Sequence, residues 1–173
     1  MTPRRALAVI TACAAALLVL PAAHAATQQQ RFFRAKLLGD DKTGRDVRAL
    51  LRDQSGYVND RVKFSDLTGD KRADAVVMVA TGGAAGNVAV YVFSTEGLDE
   101  DADLRAVYRG EGLYRAQATV PSTGLLLIRT PKYAAGSGLC CPEKVVERRM
   151  RWSKSAKRFR VTSTREVDPP KPA

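Results

Sequence analysis

Two apolar runs separated by a glycine-rich turn constrain this chain more than any other feature. Ala75 to Ala80 and Val88 to Phe93 flank the segment Thr81-Gly82-Gly83-Ala84-Ala85-Gly86-Asn87. Runs this short suit strands, and the glycines between them suit a reversal, so the segment predicts a β-hairpin. Neither run alternates apolar with polar residues. Both strands therefore need cover on two faces, which puts the hairpin at the centre of a sheet. A phosphate-binding reading of the glycine turn fails on context, because such a loop must open a helix and here a strand follows.

The rest of the chain arranges itself around that hairpin. Residues 26–31 are polar and predict a frayed start. Over residues 31–40, Phe33 and Leu37 stand four apart and Gly39 supplies a stop, which predicts a short helix. A second helix is expected from Gly44, capped by Asp41 or Thr43 and ended by Gly56. Val47, Leu50 and Leu51 form its apolar stripe, with Arg45, Arg48 and Arg52 mostly off it. From Arg61 the period changes to that of strands. Short strands are predicted at residues 62–65, 104–109, 114–120, 125–130, 145–152 and 158–164, beside the central pair. Helices first and strands after predict an α+β fold. A small N-terminal helical layer should cover a mainly antiparallel sheet of about six or seven strands in one domain, residues 26–167, with 168–173 as an unordered tail.

Residues 1–25 read as a signal peptide. Arg4 and Arg5 precede an uncharged run from Ala6 to Leu20, Pro21 ends it, and Ala23-His24-Ala25 offers small residues for cleavage after Ala25. The run falls short of the roughly 20 residues that span a bilayer, and no Cys follows it to carry a lipid. The expectation is an exported protein without a membrane span, secreted or held in the cell envelope or periplasm. The segment holds two of the 28 basic residues and none of the 18 acidic ones, leaving 26 against 18, a net +8. Such a charge suits contact with anionic surfaces such as cell-wall polymers, lipid headgroups or nucleic acid, or serves solubility alone.

Cleavage also removes the sole histidine, His24, and Cys13, leaving Cys140 and Cys141. Without His, neither a Ser-His-Asp nor a Cys-His arrangement can form, and His-based zinc sites are excluded. The clustered acids Asp99, Glu100, Asp101 and Asp103 sit in a polar loop and read as solvated surface. No catalytic residue is assigned. The adjacent Cys140 and Cys141 allow a strained vicinal disulfide, intermolecular bonds or two buried thiols; the expectation is a monomer with the two joined.

The spacing Asp66-x-Thr68-Gly69-Asp70-x-Arg72-x-Asp74 places oxygen ligands at alternate positions of a tight loop. Calcium takes about six to eight oxygens, and carboxylates from Asp66, Asp70 and Asp74, the Thr68 hydroxyl and the Arg72 carbonyl supply most of them. An EF-hand is excluded, because its twelfth position here is Val77. The stretch resembles the calcium loops of FG-GAP and VCBS-type β-propeller repeats, close to D-x-N-G-D-G-x-x-D before an apolar strand. Asp66, Gly69, Asp70 and Asp74 match that pattern. Thr68 stands where Asn or Asp is usual and Lys71 where Gly is usual; a left-handed backbone at Lys71 costs about 1 kcal/mol. The resemblance occurs once, so it does not carry the propeller fold. The plain reading is an Asx-rich turn opening a strand. The GGAAGNVAVYVF and GLCCPE segments also resemble small exported bacterial proteins, which implies no activity.

A C-terminal hairpin completes the inventory. A turn at Ser153 to Ala156 would pair Trp152 with Lys157, Met150 with Phe159, and Arg148 with Val161. Met150, Trp152, Phe159 and Val161 then face the core, while Arg149, Arg151, Arg158 and Arg160 share the other face. That face reads either as a patch for an acidic polymer or as charge guarding an edge hairpin. Two functions are carried forward. One is an exported non-enzymatic binding or structural domain with a calcium-stabilised acidic loop. The other is a protein that binds an anionic cell-envelope polymer through the basic hairpin.

Overall fold

The computed structural model describes residues 26–53, 55–96, 103–136 and 141–170. Among the described residues, two short helices, α1 (Gln28–Gly39) and α2 (Arg45–Arg52), precede nine strands in two antiparallel sheets. The first sheet holds β1 (Gly56–Val58), β2 (Lys63–Ser65), β3 (Asp74–Thr81), β4 (Asn87–Ser94) and β5 (Arg105–Gly110). Its order is β1-β3-β4-β5, and β2 pairs with the other half of β3. The second sheet holds β6 (Gln117–Ser122), β7 (Leu125–Lys132), β8 (Lys144–Ser153) and β9 (Arg158–Val167), in chain order.

The central hairpin is β3 and β4, paired from Ala75↔Phe93 to Val79↔Ala89. Gly86, at φ 58°, takes the left-handed backbone its turn needs. Seven of the eight β3 residues are buried, so the continuous apolar run does mark a strand covered on both sides. Alternate residues feed two cores. Ala75, Val77, Val79, Ala89, Tyr91 and Phe93 cluster with Phe33, Leu37, Val47 and Leu51 of the helices. Val76, Met78, Val90 and Val92 cluster with Ala118, Leu126, Ile128, Met150 and Phe159 of the second sheet. The six or seven strands expected in one sheet are instead nine in two, because β5 ends at a reversal and the chain restarts beneath the first sheet rather than beside it.

The N-terminus also departs from expectation. Residues 26–31 are ordered: Thr27 caps α1, its hydroxyl accepting from the Gln30 N–H while the Gln30 side chain accepts from the Thr27 N–H. Neither Asp41 nor Thr43 caps α2. Its N-cap is Gly44, and Glu111 Oε1, brought from the β5–β6 connection, accepts the Gly44 N–H at 2.9 Å and the Tyr91 hydroxyl at 2.5 Å. Gly56 opens β1 instead of ending α2. No helix among the described residues is long and apolar enough to cross a membrane.

Candidate functional site

The acidic loop joins β2 to β3, and its carboxylates are turned onto its own backbone. Asp66 accepts the Gly69 N–H at 2.6 Å and the Lys71 N–H at 3.0 Å. Asp74, 1% exposed, accepts the N–H groups of Leu67 at 2.7 Å and Thr68 at 2.9 Å. Burial pushes the Asp74 carboxyl above the usual aspartate range, against the pull of hydrogen bonds from Ser94, Leu67 and Thr68. Asp70 is paired with Arg72, whose Nε lies 3.1 Å from Oδ2 and whose Nη2 reaches the Thr95 carbonyl. Gly69 at φ 77° and Lys71 at φ 66° both adopt the left-handed backbone, so the strain expected at Lys71 is present.

As the loop stands, Asp66, Asp70 and Asp74 are not gathered with Thr68 and Arg72 into the calcium sphere that the spacing suggests. Asp66 and Asp74 are occupied by loop N–H donors, the Thr68 hydroxyl leans toward Asp74, and Asp70 faces a guanidinium. Among the described residues no group of three acidic, His or Cys side chains gathers as a metal site. The loop is instead a brace between the sheets. Leu67 is in the core shared with the second sheet. The Asp66 carbonyl accepts the Gly124 N–H of the β6–β7 turn, and the Gly69 carbonyl accepts from Lys154 Nζ of the β8–β9 turn.

The C-terminal hairpin differs in register. Trp152 pairs with Phe159, Arg151 with Arg160 and Ser153 with Arg158, so the turn sits one residue later than the spacing predicts. From Met150 to Val161 the slip leaves the side chains on their expected faces, because the pairing sum moves by an even number. Arg149, Arg151, Arg158 and Arg160 therefore do share the outward face of the second sheet. Val161 lies on the core side but is 52% exposed and stands outside the core cluster. Among the described residues, none of these four arginines has a side-chain hydrogen bond or ion-pair partner.

Beyond Met150 a bulge inserts Thr162 into β9, so Arg149 faces Ser163 and Glu147 faces Arg165. The bulge rotates Arg165 onto the same outward face, where it meets Glu147 from one side and Arg129 of β7 meets it from the other. Arg129 holds Oε1 and Arg165 holds Oε2, each through Nε and Nη2 at 2.6–2.7 Å. Hydrogen bonds from Arg129 and then Arg165 hold the Glu147 carboxyl below the usual glutamate range. Glu147 is sealed by its two arginines rather than by depth. Arg129, Glu147 and Arg165 were not singled out from the sequence. The alternation Glu147-x-Arg149-x-Arg151 hints at a shared face, but Arg165 needs the bulge. Beside this clamp a groove of about 460 Å³ is lined by Pro131, Tyr133, Val145, Pro169 and Pro170. Asp168, one residue past the expected tail boundary, is paired with Lys144 at 2.7 Å.

Other expectations fall partly outside the described residues. The signal peptide, Cys140, Asp99, Glu100 and Asp101 are among them. Cys141 is exposed, and Asp103 is paired with Lys36 at 2.9 Å. No known family model matches the chain, nor does any curated protein or solved structure.

Proposed function

We propose that this protein is an exported, non-enzymatic binding domain that holds an anionic polymer of the cell envelope on the outward face of its second sheet. The observation that carries this reading is the set Arg149, Arg151, Arg158 and Arg160 on one face without an acidic partner among the described residues. Arg151 and Arg160 stand directly opposite each other. A like-charged cross-strand pair costs up to about 1 kcal/mol in a sheet, and a bound polyanion relieves that cost. Arginine supplies planar, bidentate donors for phosphate, sulfate or carboxylate. Export rests on the pattern of residues 1–25, and the absence of an activity rests on the missing histidine after cleavage.

The test is retention on heparin. Replacing Arg149, Arg151, Arg158 and Arg160 with Gln should lower the eluting salt markedly, since each lost contact forgoes the release of about 0.7 counterion. Elution of the variant at the parent's salt concentration would mean that the charges only guard the β9 edge.

A further inference from the structure

The arginine face is an ordered track. Cross-strand pairing sorts its outward side chains into rungs along β8. Arg149 forms the first, beside Leu127 and Ser163. Arg151 with Arg160 forms the second, and Ser153 with Arg158 the third. Successive rungs are two residues apart, or about 6.7 Å in a strand. Behind the first rung stands Glu147, closed by Arg129 and Arg165. That carboxylate ends the track, because it already fills the two guanidinium forks that a fourth ligand anion would need.

A ligand that uses every rung must present a charge every 6–7 Å or so along a thin, extended chain. In a phosphodiester of a three-carbon alditol, successive phosphorus atoms are separated by six single bonds. With bonds near 1.5 Å the extended repeat comes to roughly 7 Å. Each phosphate can then take a bidentate guanidinium contact, doubled on the rung where Arg151 faces Arg160. A nucleic acid strand shares the phosphodiester but also brings bases, which single-strand binders hold by stacking on aromatic rings. The aromatic residues of this hairpin, Trp152 and Phe159, belong to the core cluster on the opposite side, so the track offers no stacking platform.

We infer that the polymer held by this face is a phosphodiester chain of the alditol-phosphate type, gripped through three consecutive phosphates. This rests on the polyanion reading above and narrows it. The purified protein is titrated at several salt concentrations with poly(glycerol phosphate), a thymidine oligonucleotide and poly-glutamate, matched for charge. Poly(glycerol phosphate) should bind at least tenfold tighter than poly-glutamate, with a log–log salt slope near −2 to −3, from about 0.7 counterion released per contact on a single chain. Arg151→Gln with Arg160→Gln should weaken it about tenfold or more. Exchanging Arg149, Arg151, Arg158 and Arg160 for Lys keeps the charge and removes the fork, so it should weaken poly(glycerol phosphate) and poly-glutamate alike while leaving the salt slope unchanged, because the fork fits phosphate and carboxylate both. Equal affinity for poly-glutamate and poly(glycerol phosphate) would overturn this inference and leave the polyanion reading standing. A tenfold preference for the oligonucleotide would overturn it too. Binding of none of the three would overturn both.

Discussion

The acidic loop and the arginine face carry opposite charges and differ more in how those charges are met. In the loop, Asp66, Asp70 and Asp74 each have partners within the chain: backbone N–H groups for two and a guanidinium for the third. On the face, Arg149, Arg151, Arg158 and Arg160 have no such partners among the described residues. A carboxylate met by donors within the fold ties those donors in place, even where burial works against its charge as at Asp74. A charge left open to water lowers stability when it faces its own kind and remains available to a ligand. The motif that looked most like a binding site is thus the brace, and the segment that looked like surface charge is the candidate binding face.

The largest effect should come from the loop. Asp74→Ala leaves the Leu67 and Thr68 N–H groups buried without an acceptor and should cost about 3 kcal/mol in urea unfolding. A loss under 0.5 kcal/mol or so would make the loop a surface turn and break the comparison.

Glu147 is the point where the face closes on itself as the loop does. Its carboxyl is held below the ordinary value of 4.5 by Arg129 and Arg165, so its contribution is fully present above that value. The contribution drains away as pH falls through the lower folded value. Glu147→Gln should cost about 1–2 kcal/mol at pH 7, less than a deeply buried pair because both guanidinium groups touch water. The gap between variant and parent should close below pH 4.5. A gap that stays constant with pH would assign the loss to packing rather than charge.

Removing charge from the open part of the face should act in the other direction. Arg160→Thr takes away the like-charged neighbour of Arg151 and places a strand-favouring residue in β9. Thermal melting at low salt should show a gain of up to about 1 kcal/mol that shrinks as salt is added. A loss instead would show that Arg160 has a structural partner on this face.

The smallest effect belongs to calcium. With Asp66 and Asp74 occupied by loop N–H donors, melting midpoints in millimolar calcium and in EDTA should coincide. A higher midpoint in calcium would show that the ion displaces those donors, and would restore the sequence expectation for Asp66, Thr68, Asp70, Arg72 and Asp74.

Local chemistry determined a good deal of this protein from the sequence alone. Ala75 to Ala80 and Val88 to Phe93 are uninterrupted apolar runs of strand length, so a hairpin with two covered faces was legible. Phe33, Leu37, Val47 and Leu51 marked the helix faces by their spacing, and all four are buried. The shared face of Arg149, Arg151, Arg158 and Arg160 was legible as well, because strand parity survives an even slip in register. What needed the tertiary structure depends on groups far apart in sequence or on single backbone insertions. The division of the strands into two stacked sheets is set by which apolar faces meet, and no local pattern encodes that. Glu111 serves α2 from across the fold, and Lys154 and Gly124 reach the acidic loop from two different turns. Asp66 and Asp74 could have pointed at an ion or at N–H groups, and only the left-handed turns at Gly69 and Lys71 direct the backbone donors inward. One extra residue, Thr162, decides that Arg165 joins the outward face and closes over Glu147, because a single insertion reverses the side of every residue after it.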